Sequence, residues 1–363
     1  MNRMRVCVCT VVHHPEDARI LHRQIRALLD AGHDVTYIAP FTAVGAEPWP
    51  ELHAVDVPRA GGRRRVKALR LARRALARHA RDADVLLVHD PELLLVLPFV
   101  RRRPPTVWDV HEDTAAALTA KPWLPRPLSA LLRPFVRRAE RAAEKRLHLL
   151  LAEEGYRPRF AGGHPVVPNT TYVPLTSPPP PNAPKVVYLG HLSAARGADD
   201  LIALADLLRP HGITTELIGS ADPKIAARLR DANRAGHLRW HGYRPNDTAL
   251  ALIQGALAGL SLLHDEPNYR HSIPTKIIEY MAHGIPVITT PLPAARTIID
   301  RDACGIMVPF HDPPTAAAAI LHLNNSPETR HTYATNGHRA ARLHYHWPNQ
   351  AKHFVSHLEN WSR

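Results

Sequence analysis

The sequence predicts an α/β protein of two doubly wound domains, each with a parallel sheet covered by helices on both faces. Three observations support this class. In the first half of the chain, short apolar runs alternate with segments of helical periodicity. Residues 162–184 interrupt the alternation with glycines and prolines, and it restarts after them. A repeated alternation of strands and helices indicates parallel sheets built from βαβ units.

The elements of the first half follow from hydrophobic periodicity. Arg5–Val11 is a short apolar run of the kind that forms a buried strand, and Ala18–Ala31 has helical spacing and ends at Gly32. Further strands are predicted at Val35–Ile38, Val85–Val88 and Thr106–Val110.

A stretch rich in glycine and proline follows. Gly162-Gly163, Val167–Asn169 and the four prolines Pro178–Pro181 predict a stiff linker. Beyond it, a helix is predicted at Asp199–Leu208, and strands are predicted at Lys185–Leu189, Thr215–Ile218, Leu238–His241, Leu257–Leu263 and Pro286–Thr289.

We expect a first domain at residues 1–165 and a second at residues 166–344. Residues 345–363 contain apolar side chains at Ala351, Phe354 and Leu358, which predict a terminal helix. Doubly wound sheets bind ligands at the carboxyl ends of their strands. The two domains are therefore expected to face an interdomain cleft.

The composition is that of a globular protein, for which the cytoplasm is the expected location. Of the 363 residues, 45% are hydrophobic, without a run of about 18 uninterrupted apolar residues. The first segment is followed by no small-residue cleavage site. Cys7, Cys9 and Cys304 are too few for a disulfide framework or a zinc knuckle.

The net charge of +13 is concentrated in the first half, at Arg63–Arg81, Arg101–Arg103 and Arg133–Arg146. The first and last of these segments have helical periodicity. Basic amphipathic helices bind anionic lipid, which predicts peripheral contact with the inner face of a membrane. A solvated arginine-rich face is the alternative. Nucleic-acid binding is disfavoured because aromatic residues do not interleave with the charge.

The segment Arg270–Thr289 is the most informative one. Ser272 and Pro274 mark the start of a helix, and Gly284 ends it before a strand. A helix start presents free N–H groups to anions. One turn further on, Glu279 is placed to accept hydrogen bonds from vicinal hydroxyls, as acidic residues do for ribose. Phosphate and ribose together predict a nucleotide.

This segment resembles the nucleotide-sugar signature of family 4 glycosyltransferases (glycosyl transferases group 1), which are retaining enzymes of the two-domain GT-B fold. Glu279 matches the second glutamate of the family's Glu-x7-Glu pattern, and His271 stands where the first glutamate normally lies. That glutamate contacts the donor sugar in the family, so the identity of the sugar is not carried over. The backbone of Ser272 and Ile273 is expected to face the sugar or its phosphates.

The segment Tyr188–Gly197 resembles the family's Gly-Arg-Leu-…-Lys-Gly loop, whose arginine and lysine neutralise the diphosphate leaving group. Gly190 matches the first glycine, His191 holds the arginine position and Arg196 holds the lysine position. Arg196 keeps the charge, whereas His191 would act protonated or as a neutral donor. The resemblance also implies that no metal ion is needed and that the terminal helix at residues 345–363 crosses back to complete the first domain.

The segment Val107–Asp113 ends a predicted strand. His111 resembles the family's strand-end histidine, which approaches the donor sugar and the acceptor. It is expected to donate a hydrogen bond to the sugar or to orient the acceptor hydroxyl. Glu112 and Asp113 are further candidates, and either is equally suited to capping the next helix.

Two other strand ends of the first domain are expected on the acceptor side. His14, Asp17 and Arg19 form the His-Pro-x-Asp-x-Arg pattern of a subgroup that we associate with bacterial surface-polysaccharide and other glycoconjugate assembly. His89 follows a later strand in the same way. Ordinary polar residues at strand ends are the alternative interpretation.

The nucleobase is expected at two glycine turns of the second domain. Gly219 ends one strand, and Gly242 with Tyr243 ends the next. These positions match where family members enclose the base, although plain turn glycines would have the same pattern. UDP is the commonest choice in the family and is the nucleotide that we expect.

These features predict a metal-independent hexosyltransferase that moves a sugar from a nucleotide diphosphate donor to a hydroxyl acceptor in glycoconjugate, polysaccharide or natural-product biosynthesis. The basic helices favour a lipid-linked acceptor. One alternative is a nucleotide-sugar 2-epimerase, which needs no acceptor. Another is a catalytically degenerate scaffold that binds a membrane or partner protein, suggested by His191 and His271. A dinucleotide oxidoreductase is disfavoured, since no Gly-x-Gly-x-x-Gly follows the first strand.

Overall fold

The computed structural model of the chain consists of two compact units, which we call the first unit (Met1–Asn169 with Pro348–Arg363) and the second unit (Thr170–Trp347). Each contains a six-stranded, fully parallel sheet. The structure describes residues 3–111, 113–117, 126–176, 184–270 and 272–362.

The sheet of the first unit has the strand order β3-β2-β1-β4-β5-β6. The chain winds outwards in both directions from β1, so the loops after β1 and β4 meet at the switch point where doubly wound sheets bind ligands. Its strands are β1 (Arg5–Cys9), β2 (Asp34–Ala39), β3 (His53–Asp56), β4 (Val85–Val88), β5 (Thr106–Val110) and β6 (His148–Leu151).

The helices of the first unit cover this sheet. The loop after β1 enters a π-helical segment, Ile20–Ile25, that continues directly into an α-helix. Such wide turns are rare and are often found near functional sites. The α-helices are α1 (Arg26–Asp30), α2 (Phe41–Val44), α3 (Arg65–His79), α4 (Thr114–Ala117) and α5 (Arg126–Glu144).

The second unit repeats the topology, with the strand order β12-β11-β10-β7-β8-β9. Its switch point lies between β7 and β10. Its strands are β7 (Lys185–Leu189), β8 (Thr214–Ile218), β9 (Arg239–Trp240), β10 (Ala258–Ser261), β11 (Val287–Thr289) and β12 (Gly305–Met307). Its helices are α6 (Ala198–Leu208), α7 (Pro223–Arg234), α8 (Asn246–Ile253), α9 (Thr275–Ala282), α10 (Pro293–Asp302), α11 (Pro313–Asn325) and α12 (Pro327–His344).

Strand β7 shows how this sheet is buried on both faces. Val186 and Tyr188 belong to one hydrophobic core, to which α6 and α11 contribute. Val187, between them in sequence, belongs to the opposite core together with residues of α9 and α12. Alternate side chains of a strand point to opposite faces, so a strand covered on both sides is apolar throughout.

Helix α9 is fixed to the sheet by Tyr280. Its hydroxyl accepts a hydrogen bond from the backbone N–H of Leu189 at 2.9 Å and donates one to the carbonyl of Leu260 at 3.1 Å. Its ring packs so closely on Gly259 that a Cβ there would lie 2.2 Å from it. The second turn of α9 is therefore held at the carboxyl ends of β7 and β10.

The last helix, α13 (Trp347–Trp361), has Phe354 and Leu358 fully buried. Part of the predicted linker is integrated into the two units: Val166 pairs with Leu151 in the first unit, and Thr171 pairs with His346 in the second. The four prolines Pro178–Pro181 lie outside the described residues. Across the ranges that the structure describes, no helix is long and apolar enough to cross a bilayer.

Three strands of the structure, β3, β6 and β12, have no counterpart among the predicted ones. All three lie at sheet edges and contain only three or four residues. A segment of that length is too short to show a strand periodicity. The central strands β4, β5 and β7 have the predicted bounds.

Candidate active site

Three glycine turns line the carboxyl edge of the sheet in the second unit. The N–H of Gly190 donates to the carbonyl of Ile218 at 2.9 Å, and the N–H of Gly219 donates to that of Gly242 at 2.8 Å. Gly219 has φ +147°, and a Cβ there would lie 1.9 Å from the carbonyl oxygen of Gly190. Only glycine allows this backbone approach. The structure thus brings the three predicted glycines together at the ends of β7, β8 and β9.

Arg196 lies in the turn that joins β7 to α6. The following residue, Gly197, has φ +75°, and a Cβ there would lie 2.1 Å from the carbonyl oxygen of Leu262. Burial opposes the charge of Arg196, but its hydrogen bonds and charge interactions with the hydroxyls of Tyr188 and Tyr269 keep the pKa of the guanidinium above its ordinary value. Arg196 is therefore a permanent positive charge beside Gly190.

His191, which holds the other basic position of the same loop, has both ring nitrogens engaged. Nδ1 lies 2.9 Å from Oγ of Ser220, and Nε2 lies 3.0 Å from Oδ1 of Asp222. These partners hold the ring against the residues that follow β8. At the two basic positions of the loop, the histidine is therefore held by contacts within the protein, and the arginine carries a positive charge.

Glu279 lies on the buried side of α9 with 6% exposure. It is the fifth residue of the helix and precedes Tyr280, which fixes the helix to β7 and β10. Before the helix, Oγ of Ser272 donates to the carbonyl of Asn268 at 3.4 Å, and Ile273 packs against the core. His271 lies outside the described residues.

Lys276 is a functional candidate that the sequence analysis did not identify. It is 6% exposed, and its Nζ lies 3.8 Å from the centroid of the Tyr188 ring. Burial is the main cause that holds the pKa of its amine well below the ordinary value, and Arg196 adds to the effect. The available signal was a lysine on the mainly apolar side of an amphipathic helix, three residues before Glu279.

The predicted base-binding residues lie at the ends of β8 and β9. The indole of Trp240 donates to the carbonyl of Gly219 at 2.9 Å. Tyr243, three residues later, is 46% exposed. The structure places Gly219, Gly242 and Tyr243 along one edge and leaves an aromatic ring open to solvent there.

In the first unit, His111 forms a close pair with His13. Their Nε2 atoms lie 2.8 Å apart, and Nδ1 of His111 lies 3.1 Å from the carbonyl oxygen of Asp109. Burial first, and the neighbouring His13 second, lower the pKa of His111 to about 3. The imidazole of His111 is therefore neutral at pH 7 and acts as a hydrogen-bonding group without charge.

A buried ion pair supports these histidines. Arg19 donates to both carboxylate oxygens of Asp109 at 2.7 Å, and His89 lies 3.2 Å from the same carboxylate. Burial opposes ionisation of Asp109, but Arg19 and His89 together outweigh it and hold the pKa of the carboxyl well below its ordinary value. Arg19 also donates to the carbonyl of Val167 at 3.0 Å. Arg19 is thus held by the ion pair with Asp109 and by the Val167 carbonyl, both inside the first unit.

Asp90 shapes the loop after β1. Its carboxylate accepts the N–H groups of Val11 and Val12 and the hydroxyl of Thr10, and it lies 3.2 Å from Nε2 of His13. Neither His13 nor Asp90 was assigned from the sequence. Their position in the sequence could have identified them, because they follow β1 and β4, whose loops meet at the switch point.

Asp17 and His14 lie in the same loop. Asp17 accepts the N–H groups of Arg19 at 2.9 Å and Ile20 at 3.1 Å. Burial opposes its ionisation, but His13 and these hydrogen bonds among others keep the pKa of Asp17 below its ordinary value. Nδ1 of His14 accepts the N–H of Glu16 at 3.2 Å, and burial lowers the pKa of that histidine. Glu112 lies outside the described residues.

Two groups of described residues have ligand atoms close enough to hold a metal ion: His89, Asp109 and His111, and Asp200, His264 and His311. In the first group both oxygens of Asp109 are already bound by Arg19. In the second, Nε2 of His264 lies 2.9 Å from Asp200, and His311 is 63% exposed.

Comparison with known proteins identifies the family to which the two halves of the chain are similar. Residues 183–326 match the family described as glycosyl transferases group 1, and residues 18–152 match the glycosyl transferase 4-like domain. A phosphatidyl-myo-inositol mannosyltransferase of Mycolicibacterium smegmatis is 25% identical over 342 residues, which cover 88% of this chain and 83% of that protein.

Solved structures show the same fold at low sequence identity. Sucrose-phosphate synthase from Thermosynechococcus elongatus matches with a TM-score of 0.75 at 18% identity, covering 99% of both chains. Anabaena HepE in complex with UDP and glucose matches with a TM-score of 0.72 at 15% identity, covering 99% of this chain and 100% of that one. WaaG, from lipopolysaccharide biosynthesis, matches with a TM-score of 0.68 at 16% identity, covering 96% and 98%.

Each half of the chain matches a glycosyltransferase domain, and each has a doubly wound parallel sheet of the kind that binds ligands at its carboxyl edge. The chain belongs to the group 1 glycosyltransferases, has the GT-B fold, and is a glycosyltransferase that uses a nucleotide-sugar.

Proposed function

We propose that the protein transfers a hexosyl group from a UDP-sugar to a hydroxyl of a lipid-linked acceptor, with retention of anomeric configuration and without a metal ion. The position of Glu279 is the observation that supports a nucleotide-sugar donor. This buried carboxylate lies on a helix fixed to the ends of β7 and β10, close in the fold to the Gly190 turn.

In this proposal Glu279 accepts hydrogen bonds from the ribose hydroxyls, as acidic residues do at other nucleotide sites. The backbone around Gly219 and Gly242 and the exposed ring of Tyr243 enclose the base. UDP is favoured because the similar HepE structures contain UDP, UDP with glucose, and UDP-glucose. His271 is proposed to face the donor sugar with the backbone of Ser272 and Ile273.

The reaction breaks the bond between C1 of the sugar and the β-phosphate oxygen, and the electron pair leaves with that oxygen. The acceptor oxygen forms the new bond to C1, and its proton passes to the departing phosphate. Charge accumulates on the diphosphate as the bond breaks, and a fixed positive charge stabilises it most at that point. Arg196 is placed to supply this charge, which is why no metal ion is included.

We assign His111 the role of a neutral hydrogen-bonding group for a reacting hydroxyl, which would replace His13 as the partner of its Nε2. With a pKa of about 3 its imidazole is uncharged at pH 7. His13, Asp17 and His89 surround it, and the ion pair of Arg19 with Asp109 holds the strand end in place. His14 lies on the same loop. These residues are proposed to form the acceptor side.

A lipid-linked acceptor is favoured by the surface of α5. Leu131 and Phe135 of this helix are 63% and 61% exposed, and Arg133 and Arg138 beside them are exposed cations. Apolar side chains flanked by arginines are typical of helices that lie on anionic membranes. The relative from Mycolicibacterium smegmatis is named for an acceptor that is itself a phospholipid.

A cavity of about 350 Å³ in the first unit also suits a lipid. It lies between helical turns at residues 91–99 and the second half of α5. Its lining is mainly apolar, with Leu94, Leu97 and Leu147, and it includes the cations Arg103 and Arg146. We further propose a cytoplasmic protein at the inner face of the membrane. The three buried cysteines are free thiols, as is usual in a reducing compartment.

The experiment that tests this function measures nucleotide release and sugar transfer. Purified protein is incubated with UDP-, GDP- and ADP-hexoses and with a membrane lipid extract, with EDTA present. We expect one UDP-sugar to be consumed only when lipid is added, giving an α-linked product from an α-linked donor by NMR. An acceptor-independent change of the donor sugar would indicate the 2-epimerase instead. Absence of turnover with every donor would indicate the degenerate scaffold.

A further inference from the structure

Lys276 has a buried amine without a hydrogen-bond partner. Its side chain is 6% exposed, and across the described residues no donor or acceptor is hydrogen-bonded to Nζ. The contact that the structure shows is with the face of the Tyr188 ring, 3.8 Å from Nζ to the centroid. Burying an amine without a hydrogen-bond partner lowers the stability of the fold unless a bound ligand pairs with it.

The amine lies beside the turn that follows β7. A Cβ built on Gly190, which has φ +122°, would lie 3.7 Å from Nζ of Lys276 and 3.9 Å from Nη1 of Arg196. Two cationic side chains from different elements therefore approach the same point of the Gly190 backbone, where a side chain would be in van der Waals contact with both. The ring of Tyr188 lies against Nζ of Lys276, and its hydroxyl interacts with Arg196. An anion is the ligand that two adjacent cations accommodate.

The loop itself has a histidine at one of the two cationic positions expected of it. His191 stands where the resembling family has an arginine, and Ser220 and Asp222 occupy both of its ring nitrogens. Its ring therefore has no nitrogen left for a ligand. Without another cation, Arg196 alone would face the charge of a departing diphosphate.

Building on the nucleotide-sugar donor proposed above, we infer that Lys276 binds the donor's diphosphate beside Arg196 and Gly190 and supplies a second positive charge there, since Ser220 and Asp222 engage the ring of His191. In the transfer step Lys276 forms and breaks no covalent bond. As the C1–O bond breaks, the electron pair moves onto the β-phosphate oxygen, and the two cations stabilise the charge that develops there.

The protonation of Lys276 agrees with this assignment. Burial and Arg196 favour the neutral amine, and Glu279 is the group that opposes them. The hydroxyls of Tyr188 and Tyr280 are themselves buried with raised pKa values and stay neutral. A bound diphosphate adds negative charge next to Nζ and so favours protonation. Nucleotide binding and proton uptake are therefore coupled.

The test compares each nucleoside diphosphate with its own nucleoside. Affinities of UDP, GDP and ADP and of uridine, guanosine and adenosine are measured by calorimetry for the wild type, Lys276→Met and Lys224→Met. Lys224 is an exposed lysine on α7 and is the matched control. For the nucleotide that binds, we expect Lys276→Met to lose about 10- to 100-fold in diphosphate affinity and less than 2-fold in nucleoside affinity. Lys224→Met should change neither.

Folding is controlled for by the thermal midpoint without ligand. Methionine fills the same space without the buried amine, so Lys276→Met should melt at or above the wild-type temperature but gain less from the diphosphate. A variant that retains the wild-type ratio of diphosphate to nucleoside affinity would overturn the role of Lys276 and leave the proposed function intact. A wild type that binds none of the six compounds would overturn both.

Proton uptake gives a second readout. Diphosphate binding is measured at pH 8.5 in buffers of different ionisation enthalpy. We expect uptake of protons by the wild type and markedly less by Lys276→Met. Equal uptake by the two proteins would contradict the assignment, because the titrating group would then lie elsewhere.

Discussion

Arg19 and Asp109, 90 residues apart in sequence, form a fully buried two-pronged ion pair under the carboxyl edge of the first sheet, with both N–O distances at 2.7 Å. Asp109 also accepts a hydrogen bond from Gln24 and lies 3.2 Å from His89. The pair connects the helical segment after β1 to β5, which presents His111. Breaking one side of such a pair leaves a buried charge without compensation.

Arg19→Met is therefore expected to destabilise the protein by about 3 to 5 kcal/mol, measured by urea unfolding. The double variant Arg19→Met/Asp109→Leu removes both charges and should recover much of that loss. A single variant that costs less than about 1 kcal/mol would show that the pair is not a structural support.

The free energy of unfolding is expected to depend on pH through the protonation of His111. Its pKa in the folded protein is about 3, below the ordinary value of about 6.5, so between these values the unfolded chain binds the extra proton. Stability is therefore present above pH 6.5 and falls as the pH drops towards 3.

In His111→Gln this contribution is absent. Between pH 6.5 and pH 5 we expect the variant to lose about 1 to 2 kcal/mol less of its free energy of unfolding than the wild type. His283, whose pKa burial lowers to about 4, contributes equally to both proteins. Parallel pH profiles for the two proteins would contradict a buried neutral His111.

Gly219→Ala tests the contact between the glycine turns. The new Cβ would lie 1.9 Å from the carbonyl oxygen of Gly190, at a φ of +147° that is strained for alanine. We expect a loss of about 2 to 4 kcal/mol and weaker nucleotide binding. Gly236→Ala, with φ +73° and nothing within 4 Å of its Cβ, is the matched control and should cost about 1 kcal/mol. Equal losses of unfolding free energy in the two variants would mean that the backbone contact between Gly190 and Gly219 does not contribute to stability.

Membrane binding is expected to depend on α5. Replacing Leu131 and Phe135 with aspartate should reduce binding to vesicles that contain anionic phospholipid by at least about 10-fold, because each apolar side chain contributes about 1.5 to 3 kcal/mol when buried. The control replaces Leu207 and Leu343, which are 41% and 70% exposed in the second unit, in the same way. Cosedimentation measures both. If the α5 variant binds vesicles as well as the wild type does, α5 does not contribute to membrane binding.

The central strands of both sheets could be predicted from sequence, whereas the edges could not. Strands β4 and β7 are mostly continuous apolar runs, and β5 is apolar except for Thr106 and Asp109. The edge strand β12 is a segment of three residues whose pairing with β11 is a tertiary event. Sequence spacing carries no information about such pairing.

The same distinction applies to the site. Gly190, Gly219 and Gly242 could be predicted to meet because the carboxyl ends of parallel strands lie at one edge. The contact of Arg19 with Asp109 and the engagement of His191 by Ser220 and Asp222 depend on side-chain directions that no periodicity specifies. Lys276 was missed for a related reason, since its role is visible only when its position beside Gly190 is known.

The most direct test of the account is a calorimetric titration of the purified protein with UDP, GDP and ADP, repeated with Glu279→Ala. Glu328→Ala, an exposed glutamate at the start of α12, is the control. We predict that UDP binds selectively, that Glu279→Ala weakens it by about 1 to 3 kcal/mol, and that Glu328→Ala leaves it unchanged. Unchanged affinity in Glu279→Ala, or no binding of any nucleotide by the wild type, would contradict a nucleotide-sugar site at this helix.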